Sequence, residues 1–414
     1  MKFNDYHISD DLKKNLTKLG FIRPTDIQFK AIGSILQGED VLAVAQTGTG
    51  KTAAFAIPTI DKIHRFKSSK RSYGIKCIVL APTRELVQQI GHVFTQLSAH
   101  TRVKTFALFG GVEQEHQVTK LQDGIDILIA TPGRMFDLIN QGFLRLEAVS
   151  TLILDEADHM LDLGFIDDIE YIKKMLKFKH QTLFFSATFN DEIRKLAYSQ
   201  VKSAAIRIQI DPKDKVSKNI RHFVMFIEMD DKRFFLEQFI KDHPDRKIIV
   251  FARTKVRVER IEKAMARVGI STLTIHGDKD QPQRSAAMKQ FRQGELNILI
   301  ATDVSARGID IADIDFVINY DLPEKPENYV HRVGRTGRGI NKGEAISFCA
   351  TEERDTLHAI QTFLQKPIDE IAISKGDYKT IIQAHSYEQL SLQALVEADS
   401  EWTQGANKKK RKKK

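Results

Sequence analysis

The sequence predicts an α/β protein of two tandem domains, each a parallel sheet flanked by helices, joined by a short linker. Three observations carry this. Short β-branched runs alternate with longer stretches of helical period. The runs are apolar throughout instead of alternating, as strands covered on both faces are. Two of them also recur: KCIVLAPTR (76–84) aligns without a gap on KIIVFARTK (247–255), and ILIAT (127–131) returns in full at 298–302. Both pairs are displaced by the same 171 residues, so an internal duplication is the simplest account.

In chain order, strands are expected at Val41–Ala45, Cys77–Ala81, Ile127–Ala130, Thr151–Leu154 and Thr182–Phe185. A second set is expected at Lys247–Phe251, Ile298–Ala301, Phe316–Asn319 and Ala345–Phe348. Arg84–Leu97 and Val256–Val268 have helical spacing, and a helix over Glu352–Leu364 closes the second domain. QIDPKDKVSKNIRHF (209–223) is polar, holds a proline and lacks glycine, which marks a defined connector and not a floppy tether. The expected division is a first domain over 1–208, a linker over 209–221, a second domain over 222–366 and an extension over 367–414. ANKKKRKKK at the end is low-complexity, with disorder expected.

Composition bounds the function classes. A chain of 414 residues with 42% hydrophobic and 28% charged residues has the usage of a globular protein, not of a disordered or fibrous one. Lys408–Lys414 carry seven of the nine net positive charges, so the body is nearly neutral and the basicity is a tail. Cys77 and Cys349 are too few for a disulfide framework or a cysteine-based zinc site, and each lies in an apolar run as a small buried hydrophobe of a reducing compartment. MKFNDYHISDDLKK lacks a signal-peptide pattern and no apolar run approaches a bilayer's width, so a soluble, cytoplasmic protein without a membrane partner is expected.

Three motifs carry chemistry. AQTGTGKT (45–52) follows a strand and opens a helix, the context of a phosphate-binding loop. Gly48 and Gly50 let backbone N–H groups approach phosphates, with Gln46, Thr47 and Thr49 beside them, and the helix N-terminus adds its dipole. Lys51 would reach the β- and γ-phosphates and Thr52 would ligate Mg²⁺. Ala45 stands where the pattern has its first glycine, which loosens the match and leaves a plain glycine-rich turn as the rival. LILDEAD (152–158) ends an apolar strand in carboxylates: Asp155 to hold Mg²⁺ and Glu156 to orient or deprotonate the attacking water. Taken alone it reads equally as acidic capping of a helix. In HRVGRTGR (331–338), Arg335 and Arg338 fit arginine fingers on a transferring phosphoryl group, or else a solvated basic loop.

The motifs from GFIRPTDIQ (20–28) to HRVGRTGR resemble, in order and over about residues 1–366, those of DEAD-box ATP-dependent RNA helicases, and in detail the bacterial RhlE-like group. The resemblance implies a tandem RecA-like core, ATP with Mg²⁺, and an adenine pocket made by Phe21 and Gln28 with Phe3 upstream. It implies that Ser186 and Thr188 of SAT bond the carboxylates around Asp158, with His331 meeting that cluster from the other domain. Asp303 is implied on the nucleotide side, with Gly308 and Asp310 near the fingers when the domains close. An RNA track is implied through Pro82, Thr83 and Arg84 of PTREL, Gly110, Gly111, Thr131, Gly133, Arg134, Gln281, Arg284 and Thr302. Glycine amides, hydroxyls and single arginines bind the phosphate–sugar backbone without reading bases; contacts to 2′-hydroxyls would separate RNA from DNA.

The implied activity is ATP hydrolysis stimulated by RNA, coupled to cleft closure and to local, non-processive opening of short duplexes or remodelling of RNA–protein complexes. A nucleotide-gated RNA clamp is the alternative, and a DNA translocase is disfavoured by the motif set. Ribosomal-precursor or RNA-degradation complexes are the partners the family suggests. NKKKRKKK would tether RNA through counterion release, or serve only as a solubilising end.

Overall fold

The computed structural model describes residues 1–46, 48–69, 74–210, 216–306, 314–337 and 342–383. Two seven-stranded sheets form, and every pairing in them is parallel. The first holds β1 (Val41–Val44), β2 (Cys77–Leu80), β3 (Thr105–Leu108), β4 (Ile127–Ala130), β5 (Thr151–Leu154), β6 (Gln181–Ser186) and β7 (Ile206–Gln209). The second holds β8 (Ile220–Phe226), β9 (Ile248–Phe251), β10 (Leu273–Ile275), β11 (Ile298–Ala301), β12 (Phe316–Asn319), β13 (Gly343–Cys349) and β14 (Asp369–Glu370). Their orders, β3-β4-β2-β5-β6-β1-β7 and β10-β11-β9-β12-β13-β8-β14, are one pattern used twice.

The duplication read from the sequence therefore has a structural meaning. Cys77 pairs with Ile127 and Ile248 pairs with Ile298, so the two repeated runs are neighbouring strands, and the common offset preserves their register. The threonine shared by the two nine-residue runs does the same work in both. Thr83 Oγ1 accepts the Leu86 N–H (3.3 Å) and Thr254 Oγ1 accepts the Arg257 N–H (3.2 Å), capping the helices Arg84–Ser98 and Lys255–Arg267.

Continuous apolarity has the expected cause. Val41 and Ala43 of β1 enter one core with Phe55, Phe94 and Phe185, while Leu42 between them enters another with Ile78, Leu80 and Phe184. Successive side chains of a strand point to opposite faces, and helices cover both. Full burial of each large side chain contributes about 1.5–3 kcal/mol. Cys77 and Cys349 are free and buried, and burial pushes the Cys349 thiol up to about 11.

Of the strands without a clear signal in the sequence, β10 is buried throughout but only three residues long, and others lack two covered faces. β3 is half-buried, β7 is mostly exposed, and β8 alternates. The chain divides into two compact units, the second opening at Val216 and giving Lys279–Ser285 back to the first, and β8 takes up Ile220 and Arg221 at the end of the expected connector. Beyond residue 366 the second unit continues. β14 pairs with β8, and Tyr378 packs its ring on Phe235 (4.9 Å between centroids) while its hydroxyl donates to Asp231 (2.7 Å). Thr47, Gly308, Asp310, Arg338 and the basic tail lie outside the described residues. Among the described residues no helix is long and apolar enough to cross a membrane.

Candidate functional site

In the first unit the predicted residues, apart from Phe3, Phe21 and Gln28 ahead of β1, follow the C-terminal ends of strands, the edge at which open parallel sheets bind ligands. The strand order sorts them. The loop 45–50 follows β1, Asp155 to Asp158 follow β5, and Ser186 ends β6; these three strands are neighbours. Pro82 to Arg84 follow β2, Gly110 and Gly111 follow β3, and Thr131 to Arg134 follow β4, on the other half of the same sheet. The residues expected at the nucleotide and those expected along the RNA thus occupy separate halves of one edge.

The loop after β1 is built as a phosphate cradle. Gly48 and Gly50 have φ of 82° and 90°, values that L side chains rarely adopt. Lys51 opens the helix Lys51–Phe66 with Thr52 beside it, and its buried Nζ donates to Ala45 O (2.8 Å) across the loop. Thr49 Oγ1 donates to Gln46 O (2.8 Å). The helix Asp26–Leu36 braces this loop: Thr25 Oγ1 donates to Thr49 O (2.8 Å) and Gln28 Nε2 to Gly50 O (3.1 Å). A side chain at Gly50 would press on that Gln28 amide. Gln28 Oε1 accepts the Thr25 N–H (2.9 Å), so both ends of the expected adenine reader also organise the loop. Phe3 is buried edge-on against the part-buried Phe21, 5.7 Å between ring centroids.

Asp155 is 3% exposed, and its Oδ1 accepts the Glu156 N–H (3.0 Å). Burial pushes its carboxyl up to about 6. Lys51 and the N–H bond draw it down, and the charges of Glu156 and Asp158 add to the rise. Burial thus outweighs the compensation that Lys51 supplies, and this carboxylate and the Thr52 hydroxyl are hard oxygen donors of the kind that suits Mg²⁺. Glu156 adopts the left-handed conformation (φ 51°, ψ 49°), which sets its side chain apart from that of Asp155. Its Oε2 lies 3.5 Å from Nδ1 of the buried His159. Thr188 Oγ1 donates to Asp158 Oδ2 (3.2 Å), while Ser186 Oγ accepts the Thr188 N–H (3.4 Å).

The raised Asp155 has a consequence for stability. Its proton is held more tightly in the folded than in the unfolded chain, so protonation stabilises the fold. Without metal, stability should rise as pH falls from about 6 towards the unfolded value of about 4. Asp155→Asn is expected to stabilise the protein at pH 7.5 by about 1–3 kcal/mol while removing ATP hydrolysis. Thermal denaturation checks this; a midpoint below that of the parent chain would contradict it.

On the other half of the edge, Thr83 caps its helix and Thr131 precedes Pro132 at the first turn of Pro132–Asn140. Gly111 has φ 81°, and a side chain on it would run into the Arg84 guanidinium. Arg134 is held by Gln117 (2.9 Å), Gln114 (3.2 Å) and Asp137 (2.6 Å), partners that no motif signals. In the second unit, Thr302 follows β11 as Thr131 follows β4; Gln281 and Arg284 open the helix Gln281–Gln293 after β10, in the segment Lys279–Ser285 that groups with the first unit. His331 lies in the last turn of the helix Pro326–Val333, and Arg335 follows with Nε donating to His331 O (3.0 Å).

Sequence reasoning missed Arg332. It is buried beneath Asp303, which it grips with Nε on Oδ1 (2.5 Å) and Nη2 on Oδ2 (2.8 Å). The residue lies inside HRVGRTGR, and nothing in its type distinguishes it from a solvated arginine before the fold is known.

Two duplicated RecA-like units, a phosphate loop and buried carboxylates at one strand edge define a nucleotide hydrolase of the tandem RecA-like class. Comparison narrows the class. The DEAD/DEAH box helicase family model matches residues 25–196, and the helicase conserved C-terminal domain model matches 231–339. DEAD-box ATP-dependent RNA helicase CshA of Bacillus cereus is 40% identical over 369 residues, 89% of this chain and 69% of that relative. CshA of Bacillus subtilis is 38% identical, covering 89% and 73%. The solved structure of S. cerevisiae Dbp5 bound to RNA and ADP BeF3 has a TM-score of 0.82 at 28% identity, covering 92% of this chain and 99% of that one. DEAD-box helicase Mss116 bound to ssRNA and UDP-BeF has a TM-score of 0.81 at 27% identity, covering 92% and 82%. The chain belongs to the DEAD-box ATP-dependent RNA helicases, enzymes with RNA-dependent ATPase activity.

Proposed function

We propose that this helicase hydrolyses ATP on the first unit and uses the cycle to open short RNA duplexes locally or to remodel RNA–protein complexes. The observation that carries this reading is the sorting of nucleotide and RNA residues onto two halves of one sheet edge. Both ligands would then meet the same sheet edge, and coupling follows if each binds one arrangement of that edge better than another.

In this reading Gln46 to Thr52 hold the phosphates, and Phe21 and Gln28 take the adenine. Thr52 and Asp155 would hold Mg²⁺, which supplies charge neutralisation of the phosphates. Glu156 orients and deprotonates the attacking water, and Arg335 with Arg338 stabilises charge on the transferring phosphoryl group. Thr188 and Asp158 link the nucleotide to the RNA work, with His331 supplied by the second unit. RNA is bound through Arg84, Gly110, Gly111, Thr131, Gly133, Arg134, Gln281, Arg284 and Thr302 by its backbone. The relatives whose structures hold single-stranded RNA with a nucleotide support that partner. Cytoplasmic location and work within ribosomal-precursor or RNA-degradation complexes are part of the same proposal.

The test is steady-state ATP hydrolysis with no polymer, with RNA and with matched single-stranded DNA. Stimulation by RNA alone is expected. Equal stimulation by DNA would move the substrate assignment, and none by either would sink the coupling. Several duplexes opened per enzyme would favour unwinding, whereas slow turnover with a long-lived RNA complex would favour a clamp.

A further inference from the structure

Within the second unit, buried side chains form a path from Arg332 to β8. Arg332 Nη1 donates to Asn319 Oδ1 (3.3 Å), and Asn319 Nδ2 donates to Ser347 Oγ (3.1 Å). Ser347 is hydrogen-bonded to the Tyr329 hydroxyl, which lies 3.0 Å from His222 Nδ1. Asn319, Tyr329 and Ser347 are fully buried; Arg332 and His222 are nearly so.

The chemistry of the groups gives this path a direction. A guanidinium only donates, so Asn319 must present its oxygen to Arg332 and its NH₂ to Ser347. Ser347 then sends its own proton to the Tyr329 oxygen, and Tyr329 sends its proton to His222 Nδ1. Every link runs the same way, so each polarises the next. The last acceptor has to be a neutral imidazole with its proton on Nε2. Burial, with Lys366 acting the same way, disfavours protonation of His222 by more than Asp369 favours it, and holds the ring below the ordinary histidine range. Protonated His222 would donate at Nδ1, turn the Tyr329 hydroxyl round and leave the Ser347 proton without its acceptor. Apolar residues would fill these positions without such demands, because buried polar groups cost free energy unless every one is paired.

We propose that His222 is a positioning residue for the nucleotide site: as the acceptor ending this relay, it holds Arg332, and through Arg332 the Asp303 carboxylate, in the geometry that binds ATP. The inference rests on the reading of Asp303 as a nucleotide-side carboxylate.

The experiment compares His222→Asn, His222→Leu and Tyr329→Phe in the full chain, measuring kcat and KM for ATP and for RNA. Asparagine keeps an oxygen near the Nδ1 position and should keep the parent KM for ATP. The Leu and Phe variants should raise that KM about fivefold, with kcat and the KM for RNA within about twofold. Melting midpoints establish that the variants fold, and if Tyr329→Phe does not, the two His222 variants decide. A parent-like KM for ATP in His222→Leu, or equal values for Asn and Leu, would overturn the proposal. Asp303→Asn separates the two failures. If it leaves the KM for ATP unchanged, the reading of Asp303 falls and takes the relay with it. A raised KM there with a parent-like His222→Leu overturns the relay alone.

Discussion

Glu156→Gln is expected to lower RNA-stimulated ATP hydrolysis by about 10²–10⁴-fold while ATP and RNA still bind. The substitution is isosteric, so it keeps the left-handed backbone at 156 and the packing against His159, and removes only the capacity to take a proton. Asp155 retains the Glu156 N–H and the attraction of Lys51, so the metal and phosphate side of the site is preserved. Loss of one neighbouring negative charge also eases the ionisation of Asp155, which favours metal binding in the variant. Single-turnover hydrolysis alongside equilibrium binding of a fluorescent ATP analogue separates the two effects. Hydrolysis within tenfold of the parent would remove Glu156 from its role; lost nucleotide binding would make it a structural residue of the loop after β5.

The second large effect is on stability. Lys232→Met is expected to destabilise the second unit by about 3–5 kcal/mol. The Lys232 ammonium is fully buried, donating to Tyr320 O (2.8 Å) and to the Glu353 carboxylate, with Asp321 at 4.0 Å. Glu353 also accepts the N–H groups of Leu322 and Ala350 (3.2 Å each) and pairs with Arg253 (3.2 Å). Arg257 lies 2.8 Å from Asp321. Burial lowers the affinity of Lys232 for its proton more than these carboxylates restore it. The cluster is therefore costly to keep charged, and costlier to break by removing one member. Chemical denaturation should show an earlier second-unit transition in Lys232→Met, and partial recovery when Glu353→Met is added. An unchanged transition would show that Arg253 alone satisfies Glu353.

How much was legible beforehand follows the locality of each signal. The central strands could be read because a strand covered on both faces must be apolar at every position, and Ile127–Ala130 and Phe316–Asn319 coincide with their expected ranges. Edge strands such as Ile206–Gln209 have one face in solvent and carry no such mark. The phosphate loop and LILDEAD were legible because strand, turn and helix are contiguous, and the fold places them on β1 and β5, with only β6 between. The grip of Gln114 and Gln117 on Arg134 and the burial of Arg332 were not, since they come from residues on other elements.

By itself, then, the sequence determined the two-domain α/β architecture, its duplication and the residue types of the proposed nucleotide site. Each of these is written in runs shorter than one strand–loop–helix unit. Only the tertiary structure decided which polar side chains are buried and what they hold: Arg332 on Asp303, Lys232 on Glu353, His222 on Tyr329. The physical reason is that burying a charge or a hydrogen-bonding group is tolerable only where distant segments bring its partners, and a chain read in one dimension does not show which segments meet.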